Sequence, residues 1–304
     1  MKKAIQYYGT ADKFTDLSKH KEQLDTIADN PECVCQIVQG LLVHDSWAEA
    51  YGFKLQTENF TKENNSSGRI NMSDLLDIVI ERDPRPLTIA RMPENRAVVC
   101  CREFANLACA MLIAKGIPAR SRCGFARYFS PDFLCDHWIV EYWNGNRWIM
   151  NDPQIDPLQL STLPKWGIDV GINSKLNVHD LTNDNFYIGG KAWKLCRKGE
   201  LDPTKCGILD ITGLWFVRGQ LLRDFAALNK CPPIVHLART LHGLDWKSWE
   251  LMSMDDNELT DSEFSLLDYI ADLTLDVDNN IEKIQKLYSE NKLLQVPDEL
   301  YFSV

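Results

Sequence analysis

Two early stretches of the chain carry apolar residues at every third or fourth position. The first runs from residue 32 to about 51, and the second from 101 to 115. Such spacing collects apolar side chains on one face, and it predicts two helices that pack against a core. Gly116 and Pro118 predict the end of the second helix, because glycine readily adopts the left-handed cap conformation and proline cannot continue a helix.

Alternating residues after this helix predict strands, and the clearest pair forms a β-hairpin. The segments HWIVEYW and NRWIMND flank Asn144-Gly145, a pair favoured at the centre of a two-residue type I′ turn. In that register His137 lies directly opposite Asp152, and opposed side chains share one face of the sheet. A loop longer by one residue would place them on opposite faces. We therefore expect a hydrogen bond between the imidazole and the carboxylate.

Loop and turn residues follow the hairpin, and helical spacing dominates the final third of the chain. Four segments share it: residues 211–229, 234–244, 261–275 and 280–294. We predict an α+β fold in which residues 1–160 form a core of N-terminal helices and an antiparallel sheet. Residues 161–304 are predicted to be mainly helical, forming either a second lobe or a layer packed on the core as one unit.

The net charge and the hydropathy of the sequence argue against two classes of partner, nucleic acids and membranes. The formal net charge is −10, and the sequence contains no run rich in lysine and arginine. Nucleic-acid binding proteins usually concentrate basic residues on one face, so we expect no nucleic-acid partner. No window of about 18 apolar residues occurs. We therefore expect no membrane partner and a cytoplasmic location.

The ten cysteines do not show the spacing of a zinc site or the context of a disulfide framework. Cys33 and Cys35 are separated by one residue, Cys100 and Cys101 are adjacent, and no C-x-x-C pair occurs. Disulfide frameworks are typical of small secreted domains, and this chain shows no export signal. We expect reduced thiols, no metal and no cofactor.

A cysteine nucleophile is the chemistry that the sequence favours. Cys101, His137 and Asp152 follow the order nucleophile, base and orienting carboxylate. Cys101 falls in the first helical turn, on the inward face, where unpaired N–H groups and the macrodipole favour a thiolate. Cys100 precedes it and is the weaker candidate. The backbone N–H of Cys101 is the expected oxyanion donor, and the sequence assigns no second one.

Each of these residues alone has an ordinary explanation. A cysteine among apolar residues is more often a small core residue, and an aspartate before proline often starts a turn. Their order and the hairpin register together favour a site. Four further residues are expected to line its cleft: Cys100, Trp138, Cys135 and Trp47.

The same stretch resembles the transglutaminase-like superfamily. The matching motifs are C-R-E-F-A from Cys101, G-I-P-A-R from Gly116, His137-Trp138, and W-I-M-N-D-P from Trp148 to Pro153. The resemblance covers roughly residues 90–157 and implies a papain-like core with a Cys101, His137 and Asp152 triad. It departs from the family at Val99, where many members carry glycine. It leaves the second half of the chain unexplained.

The expected function is thiol-dependent acyl transfer from an amide or peptide bond, through an acyl-enzyme. Hydrolysis by an amidase or protease and transfer to an amine use the same residues, so both stay open. The substrate would be a peptide, a protein or a small amide. The alternative is a non-enzymatic module that binds a peptide or metabolite on the same scaffold.

Overall fold

The computed structural model describes residues 1–54, 71–163, 176–233, 249–297 and 300. In these ranges the fold mixes helices with one larger and one smaller sheet. The α-helices are α1 (Lys2–Tyr8), α2 (Lys21–Asp25), α3 (Pro31–Leu41), α4 (Met72–Arg82), α5 (Cys101–Ala114), α6 (Pro157–Thr162), α7 (Gly189–Arg197), α8 (Leu214–Leu228), α9 (Glu250–Ser253), α10 (Asp261–Leu275) and α11 (Val277–Glu290).

The smaller sheet is a parallel pair, and the larger one is mostly antiparallel. The strands are β1 (Leu42–His44), β2 (Ala97–Val99), β3 (Ala119–Ala126), β4 (Leu134–Trp143), β5 (Trp148–Asn151), β6 (Phe186–Ile188), β7 (Cys206–Ile208) and β8 (Ile211–Thr212). Strand β1 pairs with β2. The larger sheet has the order β6-β3-β4-β7-β8, and β5 pairs with β4 beside β7. Only β4 and β7 run parallel within it.

The prediction of one helix over residues 32–51 is wrong beyond Leu41. Helix α3 starts at Pro31, where the Asn30 side chain accepts the first free N–H groups, and it ends at Leu41. The apolar residues that follow belong to β1, which pairs with β2 deep in the protein. A 3₁₀ helix then spans Asp45–Tyr51. Contacts between distant segments therefore override local helical spacing here.

Helix α5 forms as predicted and ends in a Schellman motif. Gly116 has a φ of +76°, and its N–H bonds the carbonyl of Ile113 at 2.9 Å. The N–H of Ile117 bonds the carbonyl of Leu112, also at 2.9 Å. These two bonds satisfy carbonyl groups that the helix leaves unpaired.

The predicted hairpin exists, but its register differs by two residues. Trp143 pairs with Trp148, so residues 144–147 form a four-residue loop instead of a two-residue turn. The Asn144 side chain closes this loop by accepting the N–H groups of Asn146 and Arg147, each at 2.9 Å. His137 therefore does not lie directly opposite Asp152. A shift of two residues preserves the alternation of faces, and both side chains still point the same way.

Strands from both halves of the chain share the larger sheet. One apolar core packs α3, α4 and α5 against Ala119 and Val140. Another packs α1, α7, α8, α10 and α11 against Phe125 and Leu134 of the same sheet. The helix predicted at 261–275 is confirmed as α10. Those predicted at 211–229 and 280–294 form as α8 and α11 with different bounds, since residues 211–212 belong to β8 and α11 ends at Glu290. The segment 234–244 lies outside the described residues. The domain division at residue 160 stays a prediction.

Arg122 connects the sheet to the C-terminal helices through buried charges. Its guanidinium bonds both carboxylate oxygens of Asp224 on α8 at 2.9 Å and the carboxylate of Glu141 on β4 at 2.9 Å. It also donates to the carbonyl of Thr274 on α10 at 3.0 Å. Four elements thus meet at one side chain, which is 2% exposed. No helix in the described part of the chain combines the length and apolar character needed to cross a bilayer.

Candidate active site

Cys101 is the first residue of α5, and the short strand β2 leads directly to it. Cys100 occupies the cap position, where Glu103 Oε2 accepts its backbone N–H at 3.2 Å and its thiol at 2.9 Å. This contact fixes the backbone immediately before the candidate nucleophile. The first-turn N–H groups have no partner inside the helix, so a negative charge at Cys101 is favoured.

His137 and Asp152 meet in a buried hydrogen bond. The imidazole Nε2 lies 2.8 Å from Asp152 Oδ2, and the two side chains are 2% and 0% exposed. Tyr128 donates its hydroxyl to the same oxygen at 2.6 Å. The other oxygen, Oδ1, accepts the backbone N–H of Gln154 at 2.9 Å. The expected imidazole–carboxylate bond is therefore present, although the predicted direct opposition is not.

This bond determines which nitrogen of His137 faces the thiol. A carboxylate only accepts hydrogen bonds, so Nε2 carries the proton and Nδ1 is the nitrogen left for Cys101. Burial works against the imidazolium, but the charge and hydrogen bond of Asp152 and the hydrogen bond with Cys101 raise the pKa of His137 to about 10. The base is thus held protonated beside the sulfur.

A second histidine, which the sequence analysis did not single out, also contacts Cys101. His44 is the last residue of β1, and its imidazole hydrogen-bonds with the Cys101 sulfur. Its Nδ1 lies 2.9 Å from Asp45 Oδ1. Burial opposes the charge, yet the hydrogen bonds with Asp45 and Cys101 raise the pKa of His44 to about 9. Two histidine–carboxylate pairs therefore converge on one thiol.

The surroundings of the two adjacent cysteines shift their thiol pKa values in opposite directions. Contact with the Cys100 thiol lowers the pKa of the Cys101 thiol well below its usual value, against burial and with the help of His137 and His44. The hydrogen bond with Cys101, burial and the nearby Glu103 carboxylate raise the pKa of Cys100. Cys100 therefore keeps its proton and Cys101 is the thiolate of the pair.

The four expected cleft residues take different places. Cys100 lies beside the thiolate, and Trp138 packs in one apolar cluster with Cys101. Cys135 lies on β4, where burial and Asp136 raise the pKa of its thiol to about 12. Trp47 is buried in a separate cluster that includes Phe129. Neither Cys135 nor Trp47 belongs to the apolar cluster around Cys101.

Aromatic side chains after β3 enclose His137. The Phe129 ring lies edge-on to the imidazole with centroids 4.9 Å apart, and the Tyr128 ring does so at 6.1 Å. The sequence analysis did not single out either residue. Adjacent aromatics at a strand end are a weak signal by themselves, because such pairs are common in cores.

Helix α8 covers the site from the C-terminal half. Gln220 donates to Asp136 Oδ1 at 2.5 Å, and Arg223 lies 3.5 Å from both oxygens of that carboxylate. Asp136 directly precedes His137, and burial raises its pKa while Arg223 counteracts that effect. Ala227 completes the apolar cluster around Cys101. The C-terminal half thus helps to position the residues predicted in the first.

The arrangement provides a thiolate, a protonated imidazole that can give up its proton, and helix N–H groups that can stabilise negative charge. In the described ranges, no group of three or more histidine, cysteine, aspartate or glutamate side chains is placed to hold a metal ion.

Comparison with known proteins agrees with the motifs. Residues 81–153 match the model of the transglutaminase-like superfamily, whose members are generally cysteine-dependent enzymes. No curated protein and no solved structure gave a significant match to the chain. The match confirms the resemblance and, with the mixed helices and strands, the predicted fold class. The segment that carries Cys101, His137 and Asp152 is therefore transglutaminase-like.

Proposed function

We propose that this protein is a thiol-dependent acyl-transfer enzyme that acts on an amide or peptide bond through Cys101, His137 and Asp152. One observation supports it most strongly. The imidazole that hydrogen-bonds with Cys101 is held by Asp152 through its other nitrogen, at 2.8 Å. A core histidine needs only one such partner, whereas a catalytic base needs a thiol on one side and an orienting group on the other.

The proposed reaction begins with attack of the Cys101 thiolate on the carbonyl carbon. The S–C bond forms and the carbonyl oxygen takes the negative charge, beside the Cys101 backbone N–H. The C–N bond then breaks as His137 Nδ1 gives its proton to the leaving amine, which leaves a thioester. Water attacks the thioester and gives one proton to His137. The S–C bond breaks, and the acid leaves with thiolate and imidazolium restored.

Trapping of the thioester tests this proposal. We expect intact-mass spectrometry to detect one acyl adduct on the wild-type chain after reaction with p-nitrophenyl esters or peptide amides. Cys101→Ala should abolish the adduct while the far-ultraviolet circular dichroism stays native. Cys33→Ala is the matched control, since Cys33 also lies in the first turn of a helix but packs against a different apolar core. An adduct that survives in Cys101→Ala would refute the assignment.

The pH dependence of alkylation provides a second prediction. Because the pKa of Cys101 is lowered, its thiolate persists at mildly acidic pH, where an ordinary thiol is protonated. We expect iodoacetamide to modify Cys101 faster than the other nine cysteines at pH near 6. Above the pKa of His137, about 10, the proton for the leaving amine is lost and turnover of amides should fall. A non-enzymatic binding module predicts slow alkylation and no adduct.

A further inference from the structure

We propose that His44 is the second oxyanion donor of this site, acting through its Nε2–H together with the backbone N–H of Cys101. This inference rests on the proposed acyl-transfer function, because an oxyanion forms only when a carbonyl is attacked. His44 would then be a catalytic residue, in contact with the reacting oxygen.

The pairing of β1 with β2 brings His44 to the thiol. His44 lies in register with Val99, two residues before Cys101. Parallel pairing continues up to this point, so the end of β1 and the start of α5 lie side by side. The side chain of His44 is 16% exposed, whereas that of His137 is 2% exposed. His44 is therefore the more solvent-accessible of the two imidazoles that hydrogen-bond with Cys101.

Asp45 determines which nitrogen of His44 is available. The carboxylate lies 2.9 Å from Nδ1 and also accepts the backbone N–H of Ser46 at 2.5 Å. The Ser46 N–H also donates to Nδ1, at 3.2 Å, when that nitrogen is unprotonated, and protonation of Nδ1 for Asp45 leaves this N–H to the carboxylate alone. Nδ1 thus carries a proton for Asp45, and Nε2 is the nitrogen left to bond Cys101. The raised pKa of His44 means that Nε2 carries a proton as well.

Negative charge moves from the Cys101 sulfur to the carbonyl oxygen during attack, and this movement explains how His44 can act as an oxyanion donor. In the resting site, Nε2–H stabilises the negative charge on the Cys101 sulfur. As the S–C bond forms, that charge moves to an oxygen two bonds from the sulfur, and the same donor can follow it. Donors that carry a charge form stronger hydrogen bonds to an oxyanion than neutral ones do. His137 meanwhile supplies the proton for the leaving group, so the two imidazoles have separate tasks.

The indole N–H groups of Trp148 and Trp193 already have carboxylate partners. The indole of Trp148 donates to Asp278 Oδ1 at 2.8 Å, which directs it away from the thiol. The indole of Trp193 donates to Asp268 at 2.7 Å in the C-terminal helical region. His137 and His44 both hydrogen-bond with Cys101 and carry a proton, and because His137 protonates the leaving group, His44 is the one left for the oxyanion.

Reactions with two electrophiles distinguish oxyanion donation by His44 from an effect of His44 on the reactivity of the Cys101 thiolate. Iodoacetamide reacts by displacement of iodide and forms no oxyanion, whereas a p-nitrophenyl ester forms one. Rates of both reactions would be measured for wild type, His44→Ala and His44→Gln across pH, and compared where each thiol is fully ionised. The leaving group of the ester needs no proton, so a general acid contributes nothing to that reaction.

We expect His44→Ala to lower the rate of acylation about 100- to 1000-fold, the usual cost of one oxyanion donor. Its alkylation rate at full ionisation should stay close to that of wild type, which also shows that the pocket is intact. His44→Gln retains a neutral donor and should fall between the two. Asp45→Asn should lower the pH above which acylation declines, because His44 then loses its proton more easily.

Three outcomes would overturn the inference. If His44→Ala lowers the rates of alkylation and acylation by the same factor, His44 acts only by raising the reactivity of the Cys101 thiolate. Unchanged acylation by the ester, with slower cleavage of an anilide, would make it a general acid. Equal acylation in wild type and variant would leave it without a role in the reaction. If wild type itself forms no acyl adduct, the proposed function fails first, and this inference fails with it.

Discussion

Both carboxylate oxygens of Asp152 accept hydrogen bonds, and these bonds explain how His137 is held in place. Oδ2 accepts from the imidazole and from Tyr128, and Oδ1 accepts the backbone N–H of Gln154. The backbone N–H of Ile155 also donates to Oδ1, at 3.4 Å, and a carboxylate with four donors cannot rotate without losing some of them. Tyr128 therefore acts on the site as a positioning residue, without reaching the thiol.

Replacement of Tyr128 by phenylalanine tests that role. The ring stays against His137 while one hydrogen bond to a charged group is lost, an interaction of about 1.5–3 kcal/mol. We expect acylation to slow about tenfold, since ~1.4 kcal/mol corresponds to a factor of ten. The pKa of His137, followed by NMR, should rise because Asp152 has one donor fewer.

Tyr51→Phe is the matched control. Its hydroxyl also donates to a carboxylate, Asp156, at 2.7 Å, but that pair caps α6. Acylation should keep its wild-type rate in this variant. A Tyr128→Phe protein with an unchanged His137 titration would show that the hydroxyl has only a structural role.

Sequence reasoning found three members of the site but missed His44. Cys101, His137 and Asp152 lie in one continuous stretch with local signals, namely a helix start and a hairpin. His44 lies 57 positions before Cys101, inside a stretch whose apolar spacing favoured a helix. Only the pairing of β1 with β2 brings it to the thiol. The adjacent pair His44-Asp45 at the end of an apolar run was the one available clue.

Helix α5 depends on its C-terminal cap. Gly116 adopts a φ of +76°, and the space where a side chain would begin is open. The cost of adding a methyl group there is therefore conformational and involves no clash.

We expect Gly116→Ala to lower the free energy of unfolding by about 1–2 kcal/mol, the usual cost of the left-handed conformation for an ordinary residue. Gly116→Asn should lose less, because asparagine tolerates that conformation better. Urea unfolding of both variants gives the comparison. Equal stability of alanine variant and wild type would mean that the helix ends differently in solution. Alkylation of Cys101 should be unaffected, because it lies at the other end of α5.

The hairpin shows what local turn rules can and cannot predict. The Asn-Gly signal correctly located the turn, and the alternation correctly placed His137 and Asp152 on one face. The register was wrong because the Asn144 side chain bonds two backbone N–H groups and stabilises a four-residue loop. Side-chain alternation has a period of two, so an error of two residues left the contact intact.

Buried charges join the two halves of the chain. Arg122 is satisfied by Asp224, Glu141 and the carbonyl of Thr274. Although burial opposes ionisation, Arg120 and Arg122 lower the pKa of Glu141 to about 2. The network therefore stays ionised over the physiological range.

Arg122→Met should destabilise the protein strongly, because it leaves the buried Asp224 carboxylate without its guanidinium partner and Glu141 with Arg120 alone. Removal of one partner from a buried ion pair costs about 3–5 kcal/mol. Arg147→Met is the control: the Arg147–Asp180 pair is on the surface, with side chains 54% and 38% exposed, and such pairs contribute about 0–1 kcal/mol. Urea unfolding of both variants should show this contrast. Similar losses would mean that the buried network contributes no more than a surface pair.

This network was beyond sequence reasoning, and so were three of the strands. Asp224 lies 102 positions after Arg122, and no local pattern relates the two. Strands β6, β7 and β8 contain only two or three residues each, too few for alternation to be recognised. Gly124 permits β6 to approach, since a side chain there would meet the Tyr187 carbonyl at 2.2 Å.

The large sequence separation between Arg122 and Asp224 also has a consequence for folding during protein synthesis. The ribosome adds Cys101, His137 and Asp152 well before it adds Asp224, Gln220 and Arg223 on α8. Until α8 emerges, Arg122 has no carboxylate from that helix, and Asp136 beside His137 lacks its partners. A nascent chain that ends before α8 therefore contains the three residues of the site without the contacts that α8 makes to Asp136 and to the cluster around Cys101. Reactivity at the thiol should arise late in translation, after the C-terminal half has folded onto the sheet.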